Sequence, residues 1–380
     1  MVPLLLGPSH PRPAAETCRA NAAVYPMTAR TRMPAAWRAH LKATIETALD
    51  PFITPFSECA LVDFPTYPNV GDHAIWLGTV DYLRSRGVRI KYICHPLNYS
   101  ASELRRTVRQ GPIVIQGGGN FGDLWQDHQL LRERIVQNFP DKAIIQLPQS
   151  IHFASQTNLQ RARSIFNAHP NLLLFVRDQP SLAFAQSHFS CKVRLCPDLA
   201  FLMRHDRLVR AESQPGMIVY LSRGDKEAAT DKLGAELAVA GLVVVDWVKR
   251  QPSKWKQAYE ATRRPRWGPR LVRMLQRIPT LTSGNQKRRL YAANRMAQER
   301  LDYGCRLLGA GQVVVTDRLH AHILATCLDL PNVVFDNSYG KVAAFVQEWT
   351  RDIPGVSLCN GEEEAIRKAQ EIRSSMSGGG

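Results

Sequence analysis

The chain has 380 residues, 44% of them hydrophobic and 22% charged, and a formal net charge of +16. At that length one core stops growing, so two domains are expected, each able to bury an ample interior. The composition is that of an ordinary soluble globular protein; it excludes a chain disordered throughout, and no stretch reaches the ~18 apolar residues of a transmembrane helix.

The charge is concentrated. Between Lys249 and Arg289 stand thirteen basic residues against one acid, Glu260, which accounts for +12 of the total. With Trp255, Trp267, Leu271, Val272, Met274 and Leu275 interleaved, this segment reads as a surface that meets acidic lipid or a polyanion. The eight cysteines are scattered, and the one close pair, Cys191 and Cys196, lacks the second pair or flanking histidines of a zinc site. Reduced thiols in a cytoplasmic protein are expected, with no metal. An apolar Val2 to Leu6 has no basic residues before it, which argues against a signal peptide.

In chain order, residues 1–35 read as a flexible leader and Trp37 to Leu49 as a helix. The strand Ala60 to Phe64 runs into Asn69-Val70-Gly71-Asp72-His73, a strand-to-helix turn in which Asp72 is a candidate cap. Further strands are expected at Arg89 to Cys94, Ile113 to Gln116, Ala143 to Leu147, Leu172 to Val176 and Val193 to Leu195, alternating with helices. The strand Ile113 to Gln116 ends in Gly117-Gly118-Gly119-Asn120, where glycines at a strand end could expose successive N–H groups to an anion. The spacing fits neither a dinucleotide nor a P-loop fingerprint. Arg177-Asp178 and Pro197-Asp198 follow two later strands. The first domain is expected over 36–208.

A second β/α series, expected over 215–350, carries Arg223-Gly224-Asp225-Lys226 after the strand Met217 to Leu221. The basic segment 249–289 interrupts it after Leu242 to Asp246, and a helix from about Lys287 to Leu308 follows. Val313 to Thr316 then reads as a strand buried on both faces, running into Asp317-Arg318-Leu319-His320 and an apolar helix. Ligands of open α/β sheets bind at such carboxyl ends, where a helix N-terminus favours an anion. The plainer alternative has Asp317 capping the helix, Arg318 pairing with it, and His320 and His322 packed inside. The strand Asn332 to Asp336 leads into Asn337-Ser338-Tyr339-Gly340-Lys341, and 351–380 reads as a final helix and tail.

Taken together, Asn69-x-Gly71-Asp72, Gly117-Gly118-Gly119-Asn120, Arg177-Asp178, Pro197-Asp198, Arg223-x-Asp225-Lys226, Asp317-Arg318-Leu319-His320 and Asp336 to Lys341 resemble the polysaccharide pyruvyl transferase family. The resemblance covers about residues 58 to 350. It implies two Rossmann-like α/β domains facing across a cleft, as in GT-B glycosyltransferases, with the acceptor on the N-terminal side and the donor on the C-terminal side. The implied reaction takes pyruvate from phosphoenolpyruvate, without a cofactor, and places it as a ketal on a sugar hydroxyl pair of a cell-surface polysaccharide or its lipid-linked precursor. Arg318, His320 and Arg223 match the family's donor-holding residues, with Lys226 beside them. His320 is the candidate proton donor and Asp72 the group that orients or deprotonates the hydroxyl. Asn69, Gly71, Gly117, Gly118, Gly119, Asn120, Arg177, Asp178, Asp317, Ser338 and Tyr339 are expected in the cleft. A cytoplasmic enzyme, held at the inner face of the membrane through 249–289, follows. A GT-B nucleotide-sugar glycosyltransferase is the rival reading, and a nucleic-acid binder built on the basic segment a distant third.

Overall fold

The computed structural model describes residues 34–209, 211–222, 241–248, 279–336 and 340–377. Helix α1 (Ala35–Leu49) precedes a parallel sheet of seven strands: β1 (Glu58–Val62), β2 (Arg89–Cys94), β3 (Ile113–Ile115), β4 (Gly118–Gly122), β5 (Ile144–His152), β6 (Leu172–Val176) and β7 (Lys192–Leu195). Their order is β2-β1-β3-β5-β6-β7, with β4 paired to β5. Helices α2 (Val70–Ser85), α3 (Ala101–Thr107), α4 (Gln126–Asn138), α5 (Gln156–Asn167) and α6 (Gln179–His188) connect them.

Successive strand residues enter different cores. Cys59 and Leu61 belong to one buried cluster while Ala60 and Val62 belong to another, which is why the strands read as continuous apolar runs covered on both faces. The second sheet repeats the pattern in the order β12-β11-β10-β8-β9, all parallel. Its strands are β8 (Ile218–Leu221), β9 (Leu242–Val245), β10 (Val313–Thr316), β11 (Asn332–Phe335) and β12 (Val356–Cys359). Val219 and Leu221 face the cluster shared with the first sheet, and Ile218 and Tyr220 face a third. Helices α7 (Pro279–Gly309), α8 (Leu319–Cys327), α9 (Lys341–Trp349) and α10 (Glu362–Ser377) complete this half.

One apolar cluster runs through both halves. Long α7 lies along α2, where the Trp76 indole donates to Asn294 Oδ1 at 2.9 Å, and Gly304 lets the helix close on Val70. Near its start, Gln286 accepts the Ile93 amide at 3.0 Å and donates to Glu103 at 2.9 Å. No helix among the described residues is long and apolar enough to cross a membrane.

Several expectations need correction. The glycine-rich turn after β3 is itself a strand, because Gly118 at φ 135° and Gly122 at φ 129° let the backbone bend and rejoin β5. Helix α4 escapes an apolar-period reading because it buries Gln129, Arg132 and Glu133. The second unit does not close at residue 350: β12 pairs with β11, and Ala365, Ile366, Ala369 and Ile372 of α10 fill the third core. Helix α7 begins at Pro279, and Arg289 is buried with its guanidinium 3.4 Å from the Ile93 carbonyl. The basic segment therefore ends inside a core-facing helix; its stretch 249–278 lies outside the described residues.

Candidate active site

A cavity of about 360 Å³ opens where the strands of both sheets end, between residues of the first half and residues of the second. The second half supplies Arg318 and His320. At the end of β10, Thr316 Oγ1 donates to the Leu221 carbonyl at 2.8 Å and accepts the Arg318 amide at 3.0 Å. This turns the chain so that Arg318 occupies the N-cap of α8 and His320 its first turn. Thr316 thus holds the turn. Asp317 is buried and does not line the cavity, and Arg318 reaches to Asp246 Oδ1 at 3.2 Å and the Ser222 carbonyl at 3.4 Å. The two histidines separate. His322 is fully buried between Asn332 Oδ1 and Thr350 Oγ1, at 2.6 and 2.8 Å, and burial pushes its pKa down to about 4. His320 faces the cavity.

The first half brings up the N-terminus of α2. Asn69, not Asp72, is the cap: its Oδ1 accepts the Gly71 amide at 3.2 Å and its Nδ2 donates to Asp72 Oδ2 at 2.7 Å. Asp72 is thereby aimed at the cavity. Burial raises its pKa against the opposing influence of the His320 charge and a Tyr67 hydrogen bond, which suits a carboxylate that accepts a proton. At Gly71 the halves touch closely, since a methyl group there would overlap the His320 ring. Gly71→Ala is therefore expected to displace the imidazole and lower turnover about 100-fold with a small change in melting temperature; steady-state rates on the purified variant check it, and wild-type turnover contradicts it.

Behind His320 stands a residue that sequence reading left out of the site. Asp198, at the start of a 3₁₀ turn (Leu199–Leu202), accepts His320 Nε2 at 3.2 Å and Arg177 Nη1 at 2.7 Å on one oxygen, and the Ala200 amide at 2.9 Å on the other. Burial acts to raise the Asp198 pKa, but the His320 charge and hydrogen bond, together with Arg177, outweigh it and hold the carboxyl far below its usual range. Arg177 is fixed in turn by Ser150 Oγ at 2.9 Å, which donates to Asp178 at 2.6 Å. Asp178 caps α6 through the Ser181 amide and lies behind the cavity, not in it.

The glycine-rich stretch is packed into the sheet. Gly117 and Gly118 are buried, with Gly117 against the Pro148 carbonyl and Gly118 beside Asp72. The amides of Asn120 and Gly122 are taken by Gln149 and Gln129 at 3.1 and 3.0 Å. Gly119 and Asn120 do line the cavity. Sequence reading also passed over Tyr67, Trp125, His128, Trp247 and Lys341, which line it too. His128, in the first turn of α4, has Nδ1 2.6 Å from Asp63 Oδ1. Arg223, Lys226, Ser338 and Tyr339 lie outside the described residues.

Two parallel α/β sheets whose strand ends converge on a cavity of buried charge and imidazole define a Rossmann-like enzyme. The polysaccharide pyruvyl transferase family model matches residues 69–339, and the chain belongs to that family of transferases. It is 32% identical over 321 residues to Bacillus subtilis EpsO, named as a pyruvyl transferase, covering 84% of this chain and 93% of that one. Pyruvyl transferase 1 of Schizosaccharomyces pombe is 31% identical over 327 residues, covering 81% and 74%. The crystal structure of a functionally uncharacterised Klebsiella pneumoniae protein shares the fold at a TM-score of 0.50 and 16% identity, covering 84% of this chain and 99% of that one.

Proposed function

We propose that this transferase takes pyruvate from phosphoenolpyruvate and places it as a ketal across two hydroxyls of a cell-surface polysaccharide or its lipid-linked precursor, the two halves acting as donor and acceptor sides of a GT-B-like cleft. The observation that carries the reading is the meeting, in one cavity, of the Arg318 guanidinium, an imidazole backed by a carboxylate, and a buried carboxyl of raised pKa on the opposite wall. Arg318 holds the donor anion, with Arg223 and Lys226 as further cations of the same half. His320, kept in place by Asp198, protonates C3 of the enol; C2 becomes electrophilic, and Asp72 takes the proton of the attacking hydroxyl. The second hydroxyl then displaces phosphate from C2 and closes the ketal. No cofactor enters these steps.

Phosphoenolpyruvate binding by calorimetry, with a nucleotide sugar as competitor, tests the choice of donor: phosphoenolpyruvate binds and the nucleotide sugar does not displace it. The reverse result favours a glycosyltransferase. Arg318→Lys keeps the charge but loses the planar fork, and a lost charged hydrogen bond of about 1.5–3 kcal/mol weakens donor binding roughly 10- to 100-fold. Unchanged affinity removes Arg318 from the donor site.

For a lipid-linked acceptor, the charge of segment 249–278 suits peripheral attachment to an anionic membrane at its cytoplasmic face, each cation contributing on the order of 1 kcal/mol. The protein is expected to pellet with anionic but not neutral vesicles, and less so when Arg263, Arg264, Arg266 and Arg270 are neutralised; equal pelleting of that variant contradicts the attachment.

A further inference from the structure

Ketal formation moves two protons, and the site described so far handles one. Both hydroxyls lose a proton; one equivalent appears in the methyl group at C3, and the other leaves on inorganic phosphate as the C2–O bond breaks. His320 and Asp72 serve the first pair of events. The second calls for another acid, able to act as a base one step later, on the wall facing the departing phosphate.

We propose that His128, held by Asp63, is that catalytic residue: it protonates the bridging phosphate oxygen as the C2–O bond breaks and then takes the proton of the second hydroxyl as that oxygen bonds to C2. The step rests on the reading of the protein as a phosphoenolpyruvate-dependent pyruvyl transferase. It balances without any further reactant, and His128 ends the turnover in the state in which it began.

Two histidines line the cavity and each is paired with a carboxylate, His320 of the second half with Asp198 and His128 of the first half with Asp63. The second is built with the same care as the first. Asp63 directly follows β1 at φ 73°, a left-handed conformation that costs a non-glycine residue on the order of 1 kcal/mol and recurs at functional sites. That conformation goes with the use of both carboxylate oxygens: one meets His128 Nδ1 at 2.6 Å and the other accepts Asn120 Nδ2 at 3.2 Å. Asn120 is itself fixed by Arg132 and Gln149 through its Oδ1, at 2.8 and 2.9 Å. A histidine needed only for packing would not require this buried network, and His128 lies at the cavity wall.

The charged and titratable groups around His128 are Asp63, Arg132 and Asp72, with the Tyr67 ring set edge-on at 5.5 Å. Burial and Arg132 oppose the imidazolium, Asp63 and Asp72 favour it, and the net direction is upward from the ordinary histidine value. Asp72 feels the charge of His320 and of His128 both.

The test uses the full-length protein with phosphoenolpyruvate and an acceptor diol that the wild type pyruvylates, in D₂O. His128→Gln is expected to release phosphate about 100-fold more slowly at unchanged phosphoenolpyruvate affinity, while the vinyl protons of phosphoenolpyruvate still exchange with solvent through His320. In Asp63→Asn the ring signal of His128 is expected to titrate at lower pH by NMR, and the alkaline limb of turnover to move the same way, which a purely structural role for Asp63 would not produce. Wild-type phosphate release by His128→Gln, or loss of exchange and release in parallel, overturns the proposal. A wild type that pyruvylates no diol at all overturns the underlying reading, and is told apart from failure of the dyad alone, in which wild type and variant turn over equally fast.

Discussion

Replacing His320 with glutamine is expected to lower turnover about 1,000-fold, within the range that general acid catalysis contributes, and to leave the melting temperature close to wild type. The imidazole stands on the cavity wall with its side chain about a tenth exposed, and glutamine keeps a polar group within reach of Asp198 while losing the transferable proton. The core does not depend on the ring, so the loss falls on turnover. A drop in melting temperature matched by a proportionate drop in activity would instead make His320 a packing residue.

His322, two positions on, is expected to behave in the opposite way. His322→Ala removes a ring that is fully buried, with one hydrogen bond at each nitrogen. It leaves a cavity and strips Asn332 and Thr350 of a partner, a combined cost of about 3–4 kcal/mol. Chemical denaturation measures it directly, and turnover per folded molecule should be retained.

The same burial sets an acid sensitivity. His322 and His73 have folded-state pKa values lowered to about 4 and about 3, in both cases chiefly by burial. Below the unfolded value of about 6.5 the unfolded chain binds protons that the folded chain refuses, so stability falls as pH drops from there toward 4. Each ring contributes up to about 1.4 kcal/mol per pH unit. His128 is shifted the other way, so its contribution to stability is complete below 6.5 and is lost only as pH rises above it; it leaves the acid slope unchanged. A flat melting temperature between pH 6.5 and 4 contradicts this account.

Most strands, and the position of the cavity at their ends, were legible because a buried parallel strand writes itself as an apolar run followed by polar residues. The elements that were not legible share a physical reason. Helix α4 carries His128 but buries a charged side chain against neutral amides, with Arg132 bonded to Gln146 and Asn120, and so shows no apolar period. Strand β4 is five residues, three of them glycine. Asp63 is marked by a backbone conformation that no residue pattern announces.

Within the candidate site, Arg318, His320 and Asp72 could be read from their motifs because each sits at a strand-to-helix turn. Asp198 was visible as Pro197-Asp198, yet its partner His320 is 122 residues away, and only the fold brings the two together. Asp178 and Asp317 look alike in sequence to site residues, but one caps a helix and the other is buried beside the turn that Thr316 holds.

The measurement that bears most directly on the central claim is mass spectrometry of candidate lipid-linked oligosaccharides incubated with the purified protein and phosphoenolpyruvate. The account predicts that an acceptor gains the mass of one pyruvate ketal, with one phosphate released for each ketal formed, and that the His320→Gln protein gives neither. No mass gain from phosphoenolpyruvate with any acceptor, alongside a glycosyl mass gain from a nucleotide sugar, would contradict it.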